Sequence, residues 1–173
     1  MTMLESFPEI ANILQRTPAV LNGLVGLATP EELDWEPAPG RWSISMVFAH
    51  LADVEVHGFM SRFTAIASQD HPFLPSYDQL ALFRSDARFD GLVELQRFTE
   101  ERTRTLEWLK SLGASVTARQ GRHQDLGDVT FAELLHEFAF HDLGHIRQVI
   151  ELYRSGAFYP HMGVFQSYYQ IRP

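Results

Sequence analysis

Apolar residues recur at intervals of three and four along four long stretches of the chain, which is the periodicity of amphipathic helices. The pattern predicts helices at about residues 3–27, 44–68, 91–112 and 131–155. No stretch reads convincingly as a strand, and no internal repeat is present. Four long amphipathic helices in 173 residues predict an all-α fold, a four-helix bundle formed by a single domain over residues 1–173.

The predicted helix ends carry suitable capping residues. Ser43, Asp90 and Thr130 precede the second, third and fourth helices, where their side-chain oxygens can accept from a free backbone N–H. Glu133 completes a capping box with Thr130. Gly156 is the predicted C-cap of the fourth helix.

Two proline-containing segments interrupt the helical pattern. Thr17-Pro18 predicts a break or kink in the first helix, because proline disfavours helical geometry in the residue before it. The connection at residues 70–89 is too long for a tight helical hairpin and can reach from one end of the bundle to the other. The second and third helices can therefore run parallel.

Composition narrows the classes of function. A formal charge of −8 argues against a nucleic-acid-binding surface. The absence of cysteine excludes disulfides, a cysteine nucleophile and thiolate metal sites, which leaves histidine and carboxylate as metal ligands. No apolar run approaches the ~20 residues of a membrane span. Residues 1–11 lack the basic and apolar regions of a signal peptide, so we expect a cytoplasmic protein that does not enter a membrane.

His141 and His145 lie one turn apart on the fourth predicted helix, so their imidazoles share a face and can chelate one cation. In a chain with eight histidines such a pair also arises readily by chance, and two polar residues on a half-buried face are the simpler interpretation of the pair alone. His136-Glu137 begins like the zinc motif HExxH, but residue 140 is Phe. A metalloprotease is therefore not indicated.

Residues 41–55, Arg-Trp-Ser-Ile-Ser-Met-Val-Phe-Ala-His-Leu-Ala-Asp-Val-Glu, together with residues 141–148, His-Asp-Leu-Gly-His-Ile-Arg-Gln, resemble the DinB-like family of metalloenzymes. The loop at 29–42 and the connection at 73–78 are also similar to sequences of that family. The resemblance implies an up-down-down-up four-helix bundle with a long crossover between the second and third helices. It further implies a divalent metal bound by three histidines, which are His50, His141 and His145 in this chain.

Three neutral imidazoles would leave the metal its full charge and an open coordination position, as in catalytic sites. Zinc suits such a site best, and nickel, iron or manganese with additional water is the alternative. Asp53 and Glu137 lie three or four residues from the proposed ligands, where either carboxylate could orient an imidazole, approach the metal or remain a solvated charge. His57 is expected to line the same cavity, and Arg147 and Gln148 could contact a substrate carboxylate.

The family resemblance leaves several functions open. It implies an S-transferase that uses the metal to activate a low-molecular-weight thiol such as glutathione, mycothiol or bacillithiol. Within the enzyme class, the alternative is a hydrolase that uses a metal-activated water. Outside that class, the alternative is a non-catalytic metal- or small-molecule-binding module in a stress response. Each predicts a small-molecule ligand. The apolar residues of the first and third helices, with the aromatic tail at 157–173, suggest a homodimer.

Overall fold

The computed structural model describes residues 2–84 and 88–171, so part of the predicted connection at 70–89 and the last two residues of the tail lie outside it. The principal helices are α1 Pro8–Val25, α2 Pro30–Asp34, α3 Ile44–Val54, α4 Ser61–Ser68, α5 Gly91–Ser111 and α6 Phe131–Tyr153. A π-helical turn, Glu55–Met60, joins α3 to α4, and a second one, Arg154–Phe158, follows α6. Short 3₁₀ helices span Leu4–Ser6, Ala81–Phe83, Ala114–Ala118, Tyr159–His161 and Gly163–Tyr168.

The bundle has the up-down-down-up order. Arg97 of α5 donates to the carbonyl of Ala49, and Arg102 one turn later binds Glu55, so α3 and α5 run parallel. Phe131 at the start of α6 contacts Phe63 of α4, and Phe138 further along α6 contacts Phe59, which precedes α4, so α6 is antiparallel to α4. Helix α1 is antiparallel to α5, because the N–H of Met3 donates to the carbonyl of Leu112.

A three-stranded sheet closes one end of the bundle, and the prediction that the chain has no strand is wrong. The strands are β1 Phe73–Leu74, β2 Gln120–His123 and β3 Gly127–Thr130, in the order β1-β2-β3. Strand β1 pairs parallel to β2, and β2 pairs antiparallel to β3. Strands of two to four residues are too short to show an alternating pattern, and their pairing depends on contacts between distant segments.

Three features of the helical pattern differ from the sequence prediction. Helix α1 continues through Pro18 without a break. The segment at 28–40, which lies between the first two predicted helices, contains α2, whose N-cap Thr29 forms a capping box with Glu32. Gly156 lies within the π-helical turn after α6 and is not its C-cap; a Cβ there would come within 2.8 Å of the Trp35 ring. Close packing against Trp35 explains the glycine.

The predicted N-caps are confirmed. Ser43 accepts from the N–H of Met46, and Asp90 accepts from two backbone N–H groups of α5. Thr130 and Glu133 form the reciprocal capping box at the start of α6. The N–H of Thr130 donates to the Glu133 carboxylate and lowers its pKa. These caps fix the starts of the two helices, α3 and α6, that carry the candidate ligands.

The core consists of two apolar clusters stacked along the bundle. One contains Phe59, Phe63, Phe131 and Phe138, and the other contains Phe48, Leu51, Phe98 and Val149, among further buried side chains. A group of buried charged residues lies where the two clusters meet, described below. Over the residues that the structure describes, no helix is both long and apolar enough to cross a membrane.

Candidate metal centre

Three histidines meet between α3 and α6. His50 is buried in the second half of α3, and His141 and His145 are half-buried on consecutive turns of α6. The Nε2 atom of His141 lies 3.2 Å from Nε2 of His50 and 3.2 Å from Nε2 of His145. One ligand atom from each residue lies within 4.8 Å of the other two. The sequence predicted this set, and the fold brings the three side chains together.

Aromatic side chains surround the three imidazoles. The Trp42 ring is parallel to that of His145 with centroids 6.4 Å apart, and lies 5.0 Å from the His50 ring. Phe59 contacts the ring of His141 edge-on at 5.2 Å. The structure thus places Trp42, which precedes α3, against two of the three histidines. These rings exclude water from one side of the site and limit the orientations of the imidazoles.

Burial keeps the imidazoles neutral. It lowers the pKa of His50 to about 3 and, with the neighbouring histidines, the pKa of His141 to about 2. The pKa of His145 is also lowered by burial. A neutral imidazole has one nitrogen lone pair, which is the form that binds a metal. The three residues are therefore in the ligand state at neutral pH.

Gln148 determines the tautomer of His145. Nδ1 of His145 lies 2.9 Å from Oε1 of Gln148, an atom that only accepts, so Nδ1 carries the proton and Nε2 has the lone pair. This lone pair points toward the other two imidazoles. Gln148 was considered as a contact for a substrate carboxylate. Its hydrogen bond also holds the His145 ring in one orientation, as residues behind a metal-binding histidine usually do.

The donor set matches the requirements of a divalent metal. Three imidazole nitrogens at about 2.05 Å from a tetrahedral zinc ion would lie about 3.3 Å apart, close to the two separations of 3.2 Å observed here. The Nδ1 atoms of His50 and His141 are buried and lack a hydrogen-bond partner among the described residues. Nitrogen lone pairs that converge on one point repel one another unless a proton or a cation lies between them.

The lowered pKa values predict how the metal-free protein responds to acid. Below pH about 6.5 the unfolded chain binds protons that the native histidines do not, so the free energy of unfolding falls as the pH falls. For His50 and His141 we expect a loss of roughly 2 kcal/mol each between pH 7 and pH 5. Urea unfolding of chelator-treated protein at both pH values tests this, with His50→Ala for comparison. The prediction fails if the His50→Ala variant loses as much stability as the unmodified protein.

An open cleft of about 800 Å³ lies beside His141 and His145. Charged residues of both signs and one exposed aromatic ring line it, namely Arg41, Glu137, Phe140, Arg147 and Glu151. Glu137 is exposed on the turn of α6 that precedes His141. The cleft volume is within the range of pockets that bind small molecules. One side of the histidine group is thus accessible to a ligand from solvent.

A model of the DinB superfamily matches residues 13–149. The chain belongs to the DinB superfamily. YfiT of Bacillus subtilis (strain 168), named as a proposed metal-dependent hydrolase, is 26% identical over 145 residues, which are 82% of this chain and 81% of YfiT. A solved structure of YfiT, described as a four-helix bundle of unusual topology, superposes with a TM-score of 0.76. That match has 25% identity and covers 86% of each chain.

In this DinB superfamily member Asp53 does not bind a candidate ligand directly. Its carboxylate accepts from the Tyr77 hydroxyl at 2.6 Å, and Nε2 of His57 lies 3.9 Å away. Burial, followed by the hydrogen bond to Asp53, raises the pKa of Tyr77. The Tyr77 ring lies 6.0 Å from that of His50. Tyr77, which the sequence analysis did not identify, thus lies next to both Asp53 and the His50 ring.

The remaining histidines lie outside the group. His57 is largely exposed beside Asp53, and His136 packs edge-on against Phe7. His71 pairs with Asp128 near the sheet, and Nδ1 of His123 accepts from the N–H of Asp125. His161 is exposed in a 3₁₀ helix after α6. Each of these positions is separate from the three Nε2 atoms.

Sequence reasoning missed a buried ion network next to the site. Glu55, Arg102 and Asp142 have 1%, 1% and 0% exposure. Arg102 forms ion pairs with Glu55 at 2.9 Å and with Asp142 at 2.6 Å. The signal was available, because Arg102 lies in the apolar stripe of α5 four residues after Phe98 and four before Leu106. A charged residue in such a stripe requires a buried partner.

Proposed function

We propose that the chain is a divalent-metal-dependent enzyme in which His50, His141 and His145 bind the metal. The observation that carries the proposal is the convergence of three neutral imidazoles at the edge of an open cleft, with Nε2 of His141 lying 3.2 Å from Nε2 of each of the other two. Three protein ligands with solvent access are typical of catalytic zinc sites. Zinc is the first candidate, followed by nickel, iron and manganese.

We propose hydrolysis of a small molecule as the reaction. The name of YfiT supports this choice. A divalent metal in such a site supplies Lewis acidity and lowers the pKa of a bound water. Glu137 lines the cleft together with His141 and His145, so its carboxylate can accept a proton from the attacking group and return it to the leaving group. Trp42 and Phe59 exclude water from the opposite side of the imidazoles.

A thiol-dependent S-transferase is the second candidate. The chain has no cysteine, so a sulfur nucleophile would have to arrive with a low-molecular-weight thiol. The cleft of about 800 Å³ has room for a thiol beside a small substrate. In this alternative Arg147, at the rim of the cleft, would contact an anionic group of the thiol. A non-catalytic binding module would use the same residues without turnover.

Elemental analysis of protein purified without an affinity metal tests the metal proposal. We expect near one equivalent of a divalent metal, or uptake of one equivalent of zinc, nickel, iron or manganese on reconstitution. Turnover of ester, amide and electrophile panels, with and without a thiol, then separates the candidates. Conversion that requires metal but no thiol supports hydrolysis. Binding of metal without any turnover supports the binding module, and absence of metal under all conditions contradicts the proposal.

Replacing Glu137 by glutamine is expected to lower kcat by roughly 10²–10⁴-fold, because the amide keeps the shape of the side chain but cannot accept the proton. Metal content should be unchanged. Steady-state kinetics with parallel elemental analysis measures both quantities, and Glu151→Gln at the rim of the same cleft is the control. Equal kcat values for Glu137→Gln and the unmodified enzyme would exclude Glu137 as the base.

A cytoplasmic location and a homodimer remain part of the proposal. The exposed apolar residues of the first and third predicted helices and of the aromatic tail could form the contact between two copies; they include Val20 and Leu24 of α1, Leu92 and Val93 of α5, and Phe165 and Tyr168. Sedimentation equilibrium measures the mass in solution, and fractionation of cells locates the protein. A monomer at micromolar concentration would contradict the dimer and leave the metal site unaffected.

A further inference from the structure

Arg102 has an acceptor for each of its five N–H groups. Nε donates to the Glu55 carboxylate at 3.0 Å. Nη1 donates to the carbonyl of Leu14 at 3.1 Å and to Oδ2 of Asp142 at 2.6 Å. Nη2 donates to Oε2 of Glu55 and to Oδ1 of Asp142, both at 2.9 Å. We call these groups the Arg102 network. One side chain of α5 thereby contacts α1, the end of α3 and α6.

Pro18 makes the Leu14 carbonyl available to this network. In an α-helix the N–H of residue 18 would donate to the carbonyl of residue 14, but proline has no N–H. Helix α1 continues through Pro18, and Arg102 supplies the missing donor. The proline that the sequence analysis associated with a break thus leaves an acceptor that joins α1 to the other three helices.

The Arg102 network lies next to the candidate ligands along both helices that carry them. Asp142 is bonded through the backbone to His141, and Glu55 is the first residue after α3, which carries His50. The guanidinium lies over the Phe138 ring at 4.4 Å, Phe138 contacts Phe59 at 4.3 Å, and Phe59 contacts His141. A continuous set of contacts therefore connects Arg102 to the histidine group.

Helices α3 and α6, which carry the candidate ligands, pack less against each other than against the remaining helices of the bundle. Helix α3 packs mainly on α5, and α6 packs mainly on α1. The distance between His50 and His141 therefore depends on how α5 and α1 hold the two helices. Stability alone is a weak reason for a buried ion network, because apolar residues of similar volume often serve equally well.

We propose that Arg102 is a positioning residue for the three-histidine site. It holds α3 through Glu55 and α6 through Asp142 at the separation at which His50 meets His141 and His145. This inference rests on the proposed metal site. It states that the relative positions of the three imidazoles depend on a network that does not contact the metal. Removing the network while preserving the fold should therefore alter metal coordination.

The test uses a variant in which the network is replaced by apolar residues, Glu55→Leu, Arg102→Met and Asp142→Val, together with Pro18→Ala. The alanine restores the backbone N–H that the Leu14 carbonyl then requires. We expect a cooperative melt similar to that of the unmodified protein, but zinc affinity lower by roughly 10–100-fold. The cobalt-substituted variant should also lose the intense visible absorption of a four-coordinate ion. Equal zinc affinity and an unchanged cobalt spectrum would overturn the proposal.

Arg102→Lys is the second variant, and it decides the question if the first does not fold. Lysine keeps the positive charge but offers three donors in place of five and cannot bind two carboxylates in fork geometry. We expect a folded protein with zinc affinity reduced roughly tenfold and an altered cobalt spectrum. A lysine variant that matches the unmodified protein in both readouts would overturn the proposal.

Arg104→Met is the matched control for both variants. Arg104 is an exposed arginine on the same helix that pairs only with Glu101 among the described residues, and its replacement should change neither zinc affinity nor the cobalt spectrum. Zinc binding by the unmodified protein distinguishes failure of the proposed metal site from failure of the proposed role of Arg102. If it binds no zinc, the proposed function has failed. If it binds zinc and the variants bind equally well, only the role of Arg102 has failed.

Discussion

Replacing His141 by alanine is expected to lower zinc affinity by roughly 10²–10³-fold and to abolish metal-dependent turnover. Structural zinc sites bind with about 10–16 kcal/mol shared among four ligands, so one lost imidazole corresponds to about 2.5–4 kcal/mol. His141 is the most informative of the three ligands, because its Nε2 is the atom 3.2 Å from both of the others. Its loss also leaves His50 and His145 without the nitrogen that connects them.

The measurement is a zinc competition titration with a chromophoric chelator, accompanied by thermal melts. We expect His141→Ala to fold, since the imidazole is neutral and its removal leaves no buried charge. His161→Ala is the control because it removes an exposed histidine from a 3₁₀ helix that follows α6. Wild-type affinity in His141→Ala would show that the metal, if bound, lies elsewhere.

Local sequence patterns were sufficient to predict the bundle. The helical period, the N-caps and the Thr130–Glu133 capping box depend on residues within a few positions of each other, and all of them are found in the structure. The pairing of His141 with His145 is also a local feature, because one turn of helix places both side chains on one face. Their convergence with His50, however, depends on the antiparallel packing of α6 against α3, which only the family resemblance indicated.

Features that join distant segments escaped the sequence analysis. Strand β1 pairs with β2 across nearly fifty residues, and each strand is too short to be recognised alone. Tyr77 reaches Asp53 from the long connection after α4, so no spacing rule could associate the two. Gln148 was predicted to contact a substrate carboxylate, and its hydrogen bond to His145 was missed, although a position three residues after His145 permits that bond.

The Arg102 network was missed for a different reason. The network consists of three charged residues at core positions of amphipathic helices, namely Glu55, Arg102 and Asp142. A prediction based on apolar residues alone ignores charged residues at such positions. Considered together, one cation and two anions at core positions of three different helices satisfy one another. A search for charged residues in apolar stripes, followed by matching of their signs, would have identified the network from the sequence.

Replacing Arg102 alone by leucine is expected to destabilise the protein by about 3–5 kcal/mol at pH 7, because two carboxylates are then buried without a cation. For a protein of this size the loss corresponds to a decrease in Tm of roughly 10–15 °C. This result differs from that expected for the apolar replacement of the whole network, which leaves no unpaired charge. Comparing the free energies of unfolding of the two variants distinguishes the destabilisation caused by unpaired carboxylates from the contribution of the intact network to stability.

Acid should partly restore the stability of Arg102→Leu. Burial already raises the pKa of Glu55, and loss of the guanidinium raises it further, so the native variant binds protons that the unfolded chain does not. A raised carboxyl pKa makes the native state more stable as the pH falls, and the difference from the unmodified protein should therefore shrink between pH 7 and pH 5. Urea unfolding at both pH values measures this difference in the free energy of unfolding.

Arg104→Leu, which removes an exposed ion pair, is the control. Its free energy of unfolding should stay within about 0.5 kcal/mol of that of the unmodified protein. A deficit for Arg102→Leu that is below 1 kcal/mol, or that does not depend on pH, would mean that the two carboxylates find other partners or reach solvent once the arginine is gone.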